Sequence, residues 1–328
     1  MTDISKKIDE QFNSLSISAI TDSKKKLNLY ADYIELVCLT SNEYVSESDI
    51  IDRLIDSGVV FKTSKRELDG EFGQIDAEVY DTEESWIVSV FEYLKIRKEL
   101  FAESYPFVIE NNKIKLLTKE IGSPQYLYLF LLITSSLRFF KKLIPELTTE
   151  FELISEEALK TFLPQATVYG FGSNSHYKGN AKNKILELAK DIKINDINKR
   201  IINQISEYNS KEEGLDIVGW IPFNNNPNTI IILGQCATGN NWQNKQNETK
   251  RYDRFYNHYL LPFIHTLFIP YEIHNYNGVF QYDKDINNNT LVFERSRLID
   301  LLNGYDFNDN LKSKQIIDKL ISFQEDIV

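Results

Sequence analysis

The chain has 328 residues, 42% of them hydrophobic and 12% aromatic, enough for a sizeable core in one large domain or two. Its net charge is −11, and its two cysteines and four histidines are scattered, which argues against a disulfide scaffold, a zinc site or an HxxxH or HExxH metal motif. The polar start MTDISKKIDEQF carries no apolar leader, and the longest apolar run, YLYLFLLI, falls far short of the roughly 20 residues that span a bilayer, so the expectation is a cytoplasmic protein without a membrane segment.

The acidity is uneven. Residues 1–160 carry 19 basic and 29 acidic side chains, whereas residues 161–328 carry 18 and 19. Between Lys178 and Arg254 the balance reverses to 12 basic against 9 acidic. A chain this acidic overall is a poor nucleic-acid binder, but a mildly basic segment permits contact with phosphates.

Residues 1–25 read as a loosely held start or a solvated helix. KKLNLYADYIELVCLT has Leu29, Tyr33, Leu36 and Val37 at helical spacing. In SESDIIDRLIDSG, Ser46 and Asp49 form a capping-box pair and Gly58 closes the helix. Trp86, Val90, Phe91 and Leu94 mark a further helix, and YPFVIENNKIKLL a short hairpin turning at Asn111-Asn112. Gln125–Phe140 is apolar all round, as a central buried helix would be. The acidic first 150 residues are therefore expected to be mainly helical, with a solvated face or a surface for a protein partner.

Residues 151–328 read as an α/β unit. ATVYG is a short strand. GFGSNSHYKG lacks the third glycine and the Gly-Lys-Ser/Thr ending of a phosphate loop, and the helix after it buries Ile185, Leu188, Ala189 and Ile192. DIVGWIPF and TIIILGQCA flank the turn sequence NNNPNT and predict a β-hairpin. Pairing Phe223 with Ile230 sets Val218 against Gln235 and places Asp216, Gln235 and Ala237 on one face. Diagonal neighbours about 7–8 Å apart bring both polar tips within reach of one metal ion. ETKRYDRFYNHYLLPFI reads as a helix with Tyr252, Phe255, Tyr256, Tyr259, Leu260 and Phe263 on one face. A buried strand HTLFIPYEI, a strand-to-helix segment LVFERSRLIDLLNG and an amphipathic helix KSKQIIDKLISFQEDIV complete the chain.

This order, with an acid opening one hairpin strand and an amide on the next, resembles the PD-(D/E)xK restriction-endonuclease superfamily. GLDIVGWIPF, ILGQCATGNNW and LVFERSRL also look like stretches of nuclease subunits in bacterial anti-phage defence systems. The resemblance implies a restriction-endonuclease-like mixed sheet flanked by helices. Asp216 matches the family's aspartate and Gln235 the position usually held by Glu, while Ala237 stands where the family has its lysine. It further implies a Mg²⁺ (or Mn²⁺) ion held by Asp216, Gln235 and the backbone carbonyl of Cys236, with Glu212 or Glu213 as a second carboxylate. Lys245, displaced toward the following helix, would orient the water. The implied activity is hydrolysis of DNA phosphodiester bonds; cutting both strands of a duplex commonly takes two active sites, hence a possible homo-oligomer. A nuclease-fold subunit without catalysis, serving DNA binding or assembly, is the alternative.

Overall fold

The computed structural model describes residues 3–18, 27–41, 44–57, 83–117, 121–206, 214–224, 229–257, 261–280 and 286–323. The chain divides into two compact units: Met1–Leu147 with Tyr271–Gln281 and Asn303–Val328, and Thr148–Pro270 with Tyr282–Leu302.

The first unit is mostly helical: α1 (Asp3–Phe12), α2 (Leu27–Thr40), α3 (Glu47–Asp56), α4 (Glu83–Phe101) and α5 (Ser123–Ser135), with the final helix Lys312–Ser322. The polar N-terminus is more than a solvated start, because Ile8 and Phe12 of α1 are buried and Gln11 bonds the Phe139 carbonyl. Ser46 and Asp49 make the reciprocal capping box at the start of α3; Gly58 lies outside the described residues. The hairpin of β2 (Phe107–Glu110) and β3 (Lys113–Leu116) turns at Asn111 and Asn112, with φ of 49° and 58°, the left-handed pair that a two-residue turn needs. A third strand that the sequence pattern did not indicate, β1 (Val45–Ser46), pairs with β3. In the core, α4 delivers the fully buried Arg97 to Asp32 at 2.7 Å and Glu35 at 3.0 Å.

The second unit is a five-stranded mixed sheet: β4 (Thr167–Gly170), β5 (Ile217–Trp220), β6 (Ile231–Cys236), β7 (Ile264–Phe268) and β8 (Thr290–Phe293), in that spatial order. The first three strands are antiparallel, while β7 and β8 run parallel to β6. Helix α6 (Ile144–Phe162) buries Phe151, Ile154, Ser155, Ala158 and Leu159 at helical spacing. Leu159 packs where Gly219 exposes its α-carbon: a Cβ there would lie 3.2 Å from Leu159 Cδ2. A cluster on the other face joins Val218 and Leu233 to Ile185, Leu188 and Ala189 of α7 (Ala181–Asp191), and to Tyr252, Phe255 and Tyr256. Two short helices, α8 (Lys199–Ile202) and α9 (Arg295–Leu301), complete this unit.

Two expectations change. The hairpin register differs by two residues, Val218 facing Leu233 and the Ile221 N–H meeting the Ile230 carbonyl, because the connection is longer than the turn sequence suggested. A shift of two preserves side-chain parity, so Asp216 and Gln235 still share a face. The helix expected over ETKRYDRFYNHYLLPFI is instead a 3₁₀ turn, Thr249–Arg254, preceded by another at Trp242–Lys245. Tyr, Phe, Asp and Asn are weak helix formers, and burial of Tyr252, Phe255 and Tyr256 is met without an α-helix. Among the described residues, no helix is long and apolar enough to cross a membrane.

Candidate functional site

Asp216 precedes β5 by one residue, and its backbone is clamped from both sides. Its N–H donates to the Gly234 carbonyl at 2.9 Å, and its carbonyl accepts from Phe171 N–H at 2.6 Å and Gly172 N–H at 3.0 Å. The carboxylate is fixed just as firmly. Oδ2 accepts from Gln235 Nε2 at 2.6 Å and from the Cys236 N–H at 2.7 Å. Asp216, Gln235 and Cys236, singled out from the sequence, thus meet at the end of β6.

The sequence reading missed the acid that joins them. A Cβ on Gly172 would lie 2.9 Å from Asp216 Oδ1 and 2.9 Å from Glu152 Oε2, so two carboxylates converge over this bare α-carbon. Glu152 comes from α6, at the edge of its buried stripe, and also accepts from Ser173 N–H at 2.7 Å and Ser173 Oγ at 3.1 Å. The loop that carries Gly172 is folded tightly against that helix: Asn174 Nδ2 donates to the Thr149 carbonyl, and His176 N–H to Gly170 O. In TTEFELISEEALK every Glu looks like solvated surface, and only the edge position of Glu152 distinguishes it.

Burial of the Cys236 thiol, with the charges of Asp216 and Glu152, pushes its pKa well above the ordinary value. That shift favours the neutral thiol over a thiolate nucleophile. What Cys236 offers is its carbonyl, which accepts from Gln235 Nε2 at 3.2 Å.

On the far side of Gln235 lies a third carboxylate. Gly214, at φ 83°, leaves space that a Cβ would share with Glu248 Oε2 at 3.0 Å and Gln235 Oε1 at 3.3 Å. Glu248 pairs with Arg251 at 2.7 Å and with Lys245 at 3.9 Å. Among the described residues Lys245 thus meets the site only through Glu248, with its side chain 47% exposed. The turn bearing these residues is fastened to β7 by Thr249 Oγ1, 3.0 Å from His265 Nδ1. Ala237 is buried with its N–H on the Phe268 carbonyl, and Trp242 is packed inside. Glu212 and Glu213 lie outside the described residues.

The donor set suits a hard divalent cation: two carboxylates, an amide oxygen and a backbone carbonyl, all oxygen. Gln235 Oε1 is buried and, among the described residues, has no hydrogen-bond partner, a cost that a cation reached by that oxygen would remove. Half a turn about the last torsion of Gln235, which is soft, would present that oxygen to Asp216. As now placed, no group of three or more His, Cys, Asp or Glu side chains among the described residues is close enough to hold a metal. In comparisons with family models, curated proteins and solved structures, the chain matches none.

Proposed function

We propose that this protein is a metal-dependent nuclease that hydrolyses DNA phosphodiester bonds at the acidic end of its five-stranded sheet, with a restriction-endonuclease-like core. The observation that carries this reading is the convergence of Asp216 and Glu152 over Gly172, with the Gln235 amide on Asp216 and its oxygen turned toward Glu248. The order of helix, three antiparallel strands, crossover and parallel strand supports it. A place in an anti-phage defence system rests on the sequence resemblance alone, and a protein partner for the first half on its surplus of acidic residues.

Asp216, Glu152, Gln235 Oε1 and the Cys236 carbonyl would hold Mg²⁺ or Mn²⁺. Such an ion supplies a Lewis acid for a phosphoryl oxygen and lowers the pKa of the attacking water. The protein's own part is orientation: the clamped backbone of Asp216 and the Ser173 bonds to Glu152 hold two negative charges in fixed positions. The test is cleavage of plasmid, linear duplex and single-stranded DNA by the full chain with Mn²⁺ or Mg²⁺. Asp216→Asn keeps an oxygen acceptor for Gln235 and Cys236 and should abolish cleavage with little loss of melting temperature. Undiminished cleavage by that variant would overturn the assignment.

The alternative, a nuclease-fold subunit that binds DNA or a partner without cutting, is favoured by one observation. The Gln235 amide now donates to Asp216, closing the pair, and Ala237 offers no charge. DNA binding with no Mn²⁺ uptake at millimolar concentration would decide for it.

A further inference from the structure

We infer that Lys184 is the cationic partner of this acidic centre, the place that the sequence pattern left to Ala237 or Lys245; this rests on the metal-dependent reading above. Lys184 is the only buried lysine among the described residues, 7% exposed. It sits in the first turns of α7, whose N-cap, Asn180, accepts from the Asn183 N–H, and is flanked by the buried Ala181 and Ile185. Its ammonium donates to the Phe171 carbonyl at 3.3 Å and stands 5.9 Å from the centre of the Phe171 ring.

That carbonyl is one peptide bond from Gly172, over which Asp216 Oδ1 and Glu152 Oε2 converge. The N–H groups of Phe171 and Gly172 are the two that grip the Asp216 backbone. Lys184 therefore delivers its charge to the stretch that organises both acids. Removing an ammonium from water is unfavourable unless anionic charge faces it, and two carboxylates meeting in a small space are unfavourable unless a cation offsets them. Each arrangement answers the other. Lys245 meets neither condition, being half exposed and tied to Glu248. A lysine whose stem is packed in a helix interface keeps its ammonium in one place, as stabilisation of charge developing on a phosphate requires.

The test compares the full-length wild type with Lys184→Met, Lys184→Arg, Asp216→Asn and the exposed control Lys190→Met, by Mn²⁺ titration and DNA cleavage. Lys184→Met should lose cleavage and bind Mn²⁺ about ten-fold more tightly, because a cation that repels the ion is gone. Lys184→Arg should restore part of the cleavage at near wild-type Mn²⁺ affinity, and Lys190→Met should change neither. Unchanged affinity and cleavage in Lys184→Met would overturn the assignment while leaving the metal site intact. Wild-type Mn²⁺ binding by Asp216→Asn would overturn the metal reading itself. If Lys184→Met does not fold, Lys184→Arg decides: full cleavage with altered Mn²⁺ affinity would place the charge elsewhere.

Discussion

Gln235 Nε2 donates to Asp216 Oδ2 at 2.6 Å across the β5–β6 pair, and continuing the strand register by one residue sets the two directly opposite. The bond makes Gln235 a donor, not a third acid, so the centre is held together without metal. Gln235→Glu replaces that donor with a carboxylate facing Asp216 and near Glu248. The metal-free variant should lose about 1–3 kcal/mol of stability. Saturating Mn²⁺ should raise its melting temperature more than that of the wild type, and urea denaturation with and without Mn²⁺ would check both. A destabilised variant that Mn²⁺ does not rescue would argue against a cation between these side chains.

The shared face of Asp216 and Gln235 was legible in the sequence because alternation survives a register change of two. The Ser46–Asp49 box and the Asn111-Asn112 turn were legible for the same kind of reason: each rests on local backbone chemistry. Glu152 was not legible, since it reaches Asp216 from a helix that precedes it by more than fifty residues, in a run where acids are plentiful. Lys184 was hidden in AKNKILELAKD, where three lysines look alike until the fold buries one of them. The 3₁₀ turn at Thr249–Arg254 escaped because buried aromatics at spacings of three and four suit a tight turn as well as an α-helix.

Gly234 shows how closely the sheet is packed beside the acids. A Cβ there would stand 2.8 Å from Phe268 Cε2 and 3.4 Å from the Ile217 carbonyl oxygen. Phe268 cannot readily yield, because it stacks on Phe293 at 4.9 Å between ring centres. Gly234→Ala should therefore cost about 1–3 kcal/mol, read as a lower urea midpoint. A neutral result would mean that β6 and β7 can separate at little cost.

In the first unit, Arg97 is the counter-charge for two buried acids. Asp32 also accepts from Ser135, and Glu35 from Tyr105 and Tyr128. Arg97→Met strands both carboxylates and should destabilise by about 3–5 kcal/mol. Combining it with Asp32→Asn and Glu35→Gln should recover much of that loss, and chemical denaturation of the wild type, Arg97→Met, the Asp32→Asn/Glu35→Gln pair and the triple variant measures the coupling.

Burial works against the charge on Glu272, but the His274 ring, the His274 N–H and Arg97 outweigh it and hold the carboxyl below its ordinary 4.5. A carboxyl whose folded pKa is depressed stabilises the native state above its unfolded pKa, and the contribution disappears as pH falls through the folded value. Urea midpoints should stay level on this account down to about pH 4.5 and then decline. Glu272→Gln should flatten that decline. An equally steep fall in the variant would assign it to other carboxylates.

Glu272 and His274 lie on the stretch Tyr271–Gln281, which leaves β7 and returns to β8 after joining the first unit, and the last helix also belongs to that unit. Neither unit is therefore written as an uninterrupted length of gene. A cut near residue 150 would strand Ile273, Ile316, Ile317 and Leu320, all buried in the intact chain, without the core they fill. Recombination that moved the sheet alone would export an unpaired loop and an orphan helix. Natural variants are accordingly expected to exchange the whole chain or single loops, and fragments made from either half should be insoluble.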